Sequence, residues 1–493
     1  MVALSFVSYA LNHSVHSVHA DHCLTTGAAG GRASSLSCVC VSLSFSTLSP
    51  NLFPSFHRHI CAPVLQAGFA CLEAGSIGST SVTNVLFKNF CDAMIGAPVW
   101  WAVGYAFAFG TENRFVGSNG FFMIGVNACD QAMWFYQWTF AATCSTIISG
   151  SMAGRTRLSA YLAYSIIVTA FIYPVVVHWT WSGNAWLYDN GYVDFAGSGI
   201  VHVTGGVSGL VGAYLVGPRG TDLFENYKNK HDIEGHSMPL VAVGTLILIF
   251  GFFGFNGGSV LAMDTVSDAI GLTTAVINTI LAASGGAIAA SVMNNYVNKY
   301  WSLMQACNGC IAGMVAVCAG ANRVDTWAAF VIGIVGGISF KTWSYVIHRA
   351  GIDDAVDAFA VHAGAGMWGV LAAAMFDNTN GAFYSKDGFA VFGWHLLGLI
   401  CIISWTAITS FIMFGALKYL GWLRVSDEAI ENGVDKSEHG EWAYVYDQRE
   451  IISWTGKEGQ EPVRGVSTSS LGSEKELNVF STSSGETIVT QVV

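Results

Sequence analysis

Val201-His202-Val203-Thr204-Gly205-Gly206-Val207-Ser208-Gly209 and Val361-His362-Ala363-Gly364-Ala365-Gly366-Met367-Trp368-Gly369 share one pattern, V-H-x-x-x-G-x-x-G, in two distant parts of the chain. Each sits in an apolar run preceded by an acid, Asp194 in one case and Asp357 in the other. Histidine inside a membrane helix is costly and marks a functional position. A motif used twice points to an internal repeat, and the rest of the sequence is read outward from it.

Composition sets the solvent. Charged residues make up 11% and hydrophobic residues 53%, with a mean hydropathy of +0.49. A soluble surface needs roughly a quarter of its residues charged, so much of this surface faces lipid. The counts of 56 glycines and 16 tryptophans suit packed transmembrane helices and interfacial aromatic belts. The expected fold is therefore all-α and polytopic.

Apolar runs of about 20 residues, the length that spans a bilayer, occur near 92–110, 132–153, 158–180, 199–217, 239–262, 268–292, 302–320, 325–347, 358–376 and 389–420. A shorter run near 60–77 precedes them, giving about 11 transmembrane helices. The two V-H motifs fall in the fifth and tenth. An odd number of helices per half inverts the halves, so the expected plan is two inverted five-helix repeats plus a last helix, with the site at the midplane. Basic residues cluster in alternate loops: Lys88; Arg155 and Arg157; Arg219, Lys228 and Lys230; Lys299; Lys341 and Arg349; Lys418 and Arg424. The positive-inside rule makes these loops cytoplasmic, with the N-terminus outside and the C-terminus inside.

Four histidines lie in apolar spans: His178, His202, His362 and His395. For His178 and His395 a neighbouring helix that satisfies the ring is sufficient explanation. The repeat sets the other two apart, because symmetry brings both toward one axis. Two imidazoles in contact share a proton between ring nitrogens. That suits a small species that both donates and accepts hydrogen bonds, such as water, ammonia or ammonium.

Elsewhere the signals are weaker. Cys307-x-x-Cys310 has no partner at ligand spacing, and Cys144, Cys310, Cys318 and Cys401 lie in apolar runs as small hydrophobes. Residues 1–60 are Ser- and His-rich, with His13, His16 and His19 at spacing three and no spanning run. They form an atypical N-terminal segment, read as a gene-model error or a lineage-specific replacement. The remaining divisions are a transmembrane domain over 61–422, a cytoplasmic segment over 423–450 and a disordered tail over 451–493. No nucleophile motif, metal cluster or phosphate loop indicates an enzyme. No cofactor, metal or nucleic-acid partner is expected.

Several further stretches, in order, resemble the ammonium transporter (Amt/Mep/Rh) family, in its Amt branch of eukaryotic type. They are Tyr136-Gln137-Trp138-Thr139-Phe140; Asp194 through His202 with Gly205 to Leu215; Gly251-Phe252-Phe253-Gly254-Phe255-Asn256-Gly257-Gly258-Ser259; and Asp353-Asp354 with Asp357 through His362. The resemblance runs from about Leu65 to Tyr446. It implies an outer cation site at Trp181, Phe140 and Ser259 beside Tyr136, a gate of stacked Phe140 and Phe255, and twin pore histidines at His202 and His362. Asp194 is implied to shape the outer site. Phe252 stands where a tryptophan is common, which would alter the vestibule, and Gly154 where a glutamate often follows the third helix. Gly433 through Tyr444 resembles a cytoplasmic regulatory segment, with Ser437 at a position that is a phosphorylatable threonine in some members, and so implies a kinase as partner. The loop residues Arg155, Arg157, Lys341 and Arg349 would be available to capture such a phosphate. The implied protein is a plasma-membrane homotrimer in the lipid bilayer that carries ammonium or ammonia. A Rh-like conduit for ammonia or carbon dioxide, and an ammonium sensor, remain as alternatives.

Overall fold

The structure, a computed structural model, describes residues 64–111, 113–219, 235–262, 265–444, 477–481 and 487–491. Eleven long helical segments follow one another there. They are α1 (Val64–Ser76); α2 (Val82–Val99, continued through Trp100–Gly104 and Tyr105–Phe109); α3 (Ala128–Ser151); α4 (Leu158–Ile167, Val168–Ile172, Tyr173–Trp181); α5 (Ser198–Val203, Thr204–Val216); α6 (Met238–Phe252, Phe253–Gly257); α7 (Val266–Asn298); α8 (Leu303–Val317); α9 (Thr326–Arg349); α10 (Phe359–Gly364, Ala365–Phe376); and α11 (Gly388–Tyr419). Eight of them, α4 to α11, are long and apolar enough to cross a membrane by themselves. The protein is a multi-pass membrane protein.

The three other helices explain why the first part of the chain reads poorly. The described α1 has only 13 residues. Apolarity places the start of α2 at 92, whereas it begins at Val82, because Lys88 and Asp92 interrupt the apolar pattern. Both are buried: Lys88 donates to the Thr156 carbonyl, and Asp92 accepts from Ser145, Thr146 and Ser165. A charge satisfied by helix neighbours can sit inside a span, so a composition rule misses the turns around it.

Five helices contain a π turn. In α2 and α4 the turn adjoins a proline, Pro98 and Pro174, whose missing N–H disrupts the α ladder. In α5, α6 and α10 no proline is near, and the turns carry His202, Phe255 and His362. Proline-free π turns concentrate at functional sites.

Helices α5 and α10 cross where glycines leave room. At Gly206 an added Cβ would lie 2.6 Å from the Ala363 nitrogen, and at Gly366 one would lie 2.5 Å from the Ser198 carbonyl oxygen. Each half thus supplies the gap that the other fills, and the glycine four residues after each histidine gains a physical reason.

Beyond α11 a short helix, α12 (Asp427–Asn432), leads into a π turn over Asp435–His439. Buried Asp435 accepts from the backbone N–H groups of Thr83 and Asn84, capping α2. In the tail, strands β1 (Leu477–Ser481) and β2 (Thr487–Gln491) pair antiparallel, and the rest of the expected disordered segment 451–493 lies outside the described residues. The expected N-terminal segment 1–60 and the loop lysines Lys228 and Lys230 lie outside the described residues.

Candidate functional site

Buried side chains along α3, α5, α6 and α10 form a continuous series from a partly exposed mouth to the core. Trp181, at the end of α4, stands edge-on to Phe140 with ring centroids 5.6 Å apart. Tyr136, one turn before Phe140 on α3, meets it edge-on at 4.8 Å. The Tyr136 hydroxyl lies 3.2 Å from the Ser259 hydroxyl and donates to the Phe255 carbonyl at 2.8 Å. Ser259 also donates to that carbonyl, at 2.9 Å, which leaves its oxygen lone pairs available to a donor.

Phe140 and Phe255 stack face to face, with centroids 4.0 Å apart and planes at 20°. Both are fully buried. Next in line are the imidazoles: His202 lies 5.6 Å from Phe255, and its Nδ1 lies 3.2 Å from Nδ1 of His362. The two imidazole planes are within 13° of parallel. One hydrogen occupies the Nδ1–Nδ1 contact, so in the neutral pair one ring carries its hydrogen on Nε2 and the other presents a bare Nε2.

Asp194 organises the start of α5. Its carboxylate accepts from four consecutive backbone N–H groups, Gly197 to Ile200, at the start of α5. Its carbonyl oxygen accepts the Trp181 indole N–H at 2.8 Å. One residue thus fixes the helix carrying His202 and the ring at the mouth. The counterpart in α10 is Asp354, which accepts from the Ala358 and Phe359 N–H groups. Each aspartate stands eight residues before its histidine. Pairing Asp194 with Asp357 is therefore three residues off; Asp357 has a left-handed backbone and instead accepts from Ser344. The equal spacing to histidine is the signal that identifies Asp354.

The segment between α9 and α10 is strongly charged. Burial raises the Asp353 carboxyl, but Arg155 and Arg219 outweigh it and hold the group well below its ordinary range. Beside it Asp354 is pushed up to about 6, by burial and then by the charge of Asp357.

The two remaining membrane histidines are backbone-bound. His178 contacts the carbonyls of Ala108 and Asn113, and His395 bridges Val193 and Val391. Phe252 stacks on His202, with ring centroids 5.8 Å apart and planes at 16°. Gly154 has φ +77°, a left-handed turn that disfavours glutamate. Sequence reasoning missed Cys318, whose sulfur lies 3.8 Å from His202 Nε2 and donates its hydrogen to the Met314 carbonyl. It also missed Phe69, at 5.8 Å from His362. Both lie in apolar runs, where nothing in the sequence distinguishes them from core packing. Ser437 is exposed and donates to the Gly433 and Val434 carbonyls, two residues from the buried cap Asp435. Arg155, expected among the residues able to capture a phosphate there, is fully buried and bound to the carbonyls of Ser151, Ala153, Asp353 and Gly217.

A multi-pass helical bundle that buries this series of aromatic rings and histidines has the architecture of a membrane transporter. Residues 60–444 match the family described as Ammonium Transporter Family, and the chain belongs to it. A Caenorhabditis elegans relative is 39% identical over 407 residues, covering 77% of this chain and 76% of its own. Ammonium transporter Amt2 of Archaeoglobus fulgidus is 36% identical, covering 77% and 85%. Among solved structures, one titled Sensor Amt Protein superposes with a TM-score of 0.72 at 29% identity, covering 78% and 97%. Saccharomyces cerevisiae Mep2, at 24% identity and a TM-score of 0.68, shows the same fold.

Proposed function

We propose that the chain takes up ammonium from outside the cell: the cation docks at Trp181, Phe140 and Ser259, loses its water at the Phe140–Phe255 gate, and crosses as ammonia or ammonium along His202 and His362. The observation that carries this reading is the 3.2 Å imidazole contact adjoining a 4.0 Å stack of phenyl rings. Indole attracts a cation by about 1–2 kcal/mol, and the Ser259 oxygen replaces one hydration contact. Stacked phenyl rings offer K⁺ or Na⁺ no replacement oxygen, and an unpaired ion in an apolar medium faces tens of kcal/mol. Ammonia has both a lone pair and N–H donors, matching a histidine pair with one bare and one protonated outer nitrogen.

The direction of that pair follows from Cys318. Its own hydrogen goes to Met314, so its sulfur accepts from His202 Nε2–H. His202 Nδ1 is then bare, and His362 donates across the contact.

By the loop charges the N-terminus faces outward and the C-terminus the cytoplasm, in the plasma membrane. By family resemblance the protein is a homotrimer, and a kinase acts on Ser437 beside the α2 cap. Growth rescue of a yeast lacking ammonium transport, on limiting ammonium, tests the function. Rescue by the wild-type chain is expected; none, at normal surface abundance, overturns it. The Trp181–Ser259 mouth argues against a Rh-like gas conduit. A sensor reading rests on the likeness to the structure titled Sensor Amt Protein, and a sensor that conducts nothing gives no rescue.

A further inference from the structure

Two small cavities meet at one carboxylate. The first, about 20 Å³ at water centres, adjoins the pore and is lined by Phe69, Asn308, Val356, His362 and Glu73. The second, about 10 Å³, lies off the pore and is lined by Glu73, Lys88, Ser149, Thr156, Tyr161 and Tyr164. Each suits about one water molecule. Glu73 lines both.

The second cavity is polar. Glu73, 2% exposed, accepts from Ser149 at 2.7 and 2.8 Å and from Asn89 at 3.1 Å. The other charges acting on it are those of Asp92 and Lys88. Lys88 is itself buried and anchored on the Thr156 carbonyl. The hydroxyls of Tyr161 and Tyr164 are buried with no hydrogen-bond partner among the described residues. Two unpaired hydroxyls, a carboxylate and an ammonium around one water-sized space indicate a resident water. None of these groups is used by the pore as described above. A buried carboxylate is expensive, and packing alone gives no reason for one here.

We infer that Glu73 is a proton carrier between the pore and the cytoplasmic side, and that the second cavity is its water station. This rests on the pore reading. Ammonium entering the gate splits into ammonia and a proton. The proton passes to the bare Nε2 of His362 and from there through water in the first cavity to a Glu73 oxygen, giving the carboxylic acid. Glu73 returns to carboxylate by passing the proton to the water held by Tyr161 and Tyr164. That water releases it toward the cytoplasm, where it rejoins ammonia as ammonium. Atoms and charge balance, and one positive charge crosses per ammonium. Lys88, anchored on the Thr156 carbonyl, lines the same water station. The Lys88 ammonium in turn feels Glu438 and Asp435 of the docked cytoplasmic segment.

The test uses the full chain in proteoliposomes, with methylammonium uptake and current measured together. The wild type is expected to carry current in proportion to uptake, more slowly in heavy water. Glu73→Gln should cut the ratio of current to uptake on the order of a hundredfold. Tyr164→Phe, which removes only the hydroxyl, should cut it about fivefold. An unchanged ratio in Glu73→Gln overturns the inference, as does wild-type uptake without current. If Glu73→Gln does not fold, an unchanged ratio in Tyr164→Phe overturns it. A wild type that takes up nothing overturns the transport reading instead.

Discussion

The two V-H helices are alike in sequence and differ in surroundings. At the start of α5, Asp194 binds four backbone N–H groups, and His202 is packed by Phe252, Phe255 and the Cys318 thiol. At the start of α10, Asp354 binds two, and His362 faces Phe69 and a water-sized cavity that reaches Glu73. The inverted repeat fixes where the two rings meet, and the neighbours fix what each side does. On the α5 side His202 is walled by Phe252 and Phe255. The α10 side leaves room for about one water beside His362. Symmetry builds the contact, and departure from symmetry gives it a direction.

The largest effect that separates the two sides should be on folding. Asp194→Ala strands four N–H groups, for a loss of about 4 kcal/mol, whereas Asp354→Ala strands two, for about 2 kcal/mol. Thermal unfolding in detergent should rank them in that order; the reverse order would break the comparison. Titration sharpens it further. Because the folded Asp354 carboxyl sits at about 6, above its ordinary value of 3.8, the native state holds the extra proton. Its contribution to stability is complete below about pH 4 and is lost as pH rises through about 6. Asp354→Asn should flatten that part of the profile.

How much of this the sequence discloses depends on the kind of signal. The bundle, the repeat and the histidine pair are legible because hydropathy and a nine-residue motif are local. The mouth and gate residues are read by resemblance, and the structure brings Trp181, Phe140, Tyr136, Phe255 and Ser259 into one chain of contacts. The start of α2 is hidden because Lys88 and Asp92 are satisfied by residues far along the chain. Cys318 and Phe69 are hidden because only helix packing brings them to the histidines. Asp354 is visible by its spacing, but a nearer aspartate obscures it.

Affinity should change next. Trp181→Leu removes a cation–π contact of about 1–2 kcal/mol and should raise the half-saturating methylammonium concentration roughly five- to thirtyfold. An unchanged concentration dependence at normal surface abundance would remove Trp181 from the mouth. The smallest effect belongs to the cytoplasmic segment. Phosphorylation of Ser437 adds nearly two negative charges beside Asp435, Glu438 and Glu441, which should expel Asp435 from its seat on α2. Ser437→Asp should therefore carry less than Ser437→Ala at equal abundance, and equal rates would leave Ser437 an ordinary solvated serine.

The central claim is that the two halves make one conducting line at His202 and His362. It is tested most directly by replacing each histidine with alanine and recording methylammonium uptake together with K⁺ current. Both variants should lose wild-type uptake or admit K⁺, with the stronger effect at His202, which Phe252 and Phe255 enclose. Wild-type uptake with K⁺ still excluded in both would contradict the account.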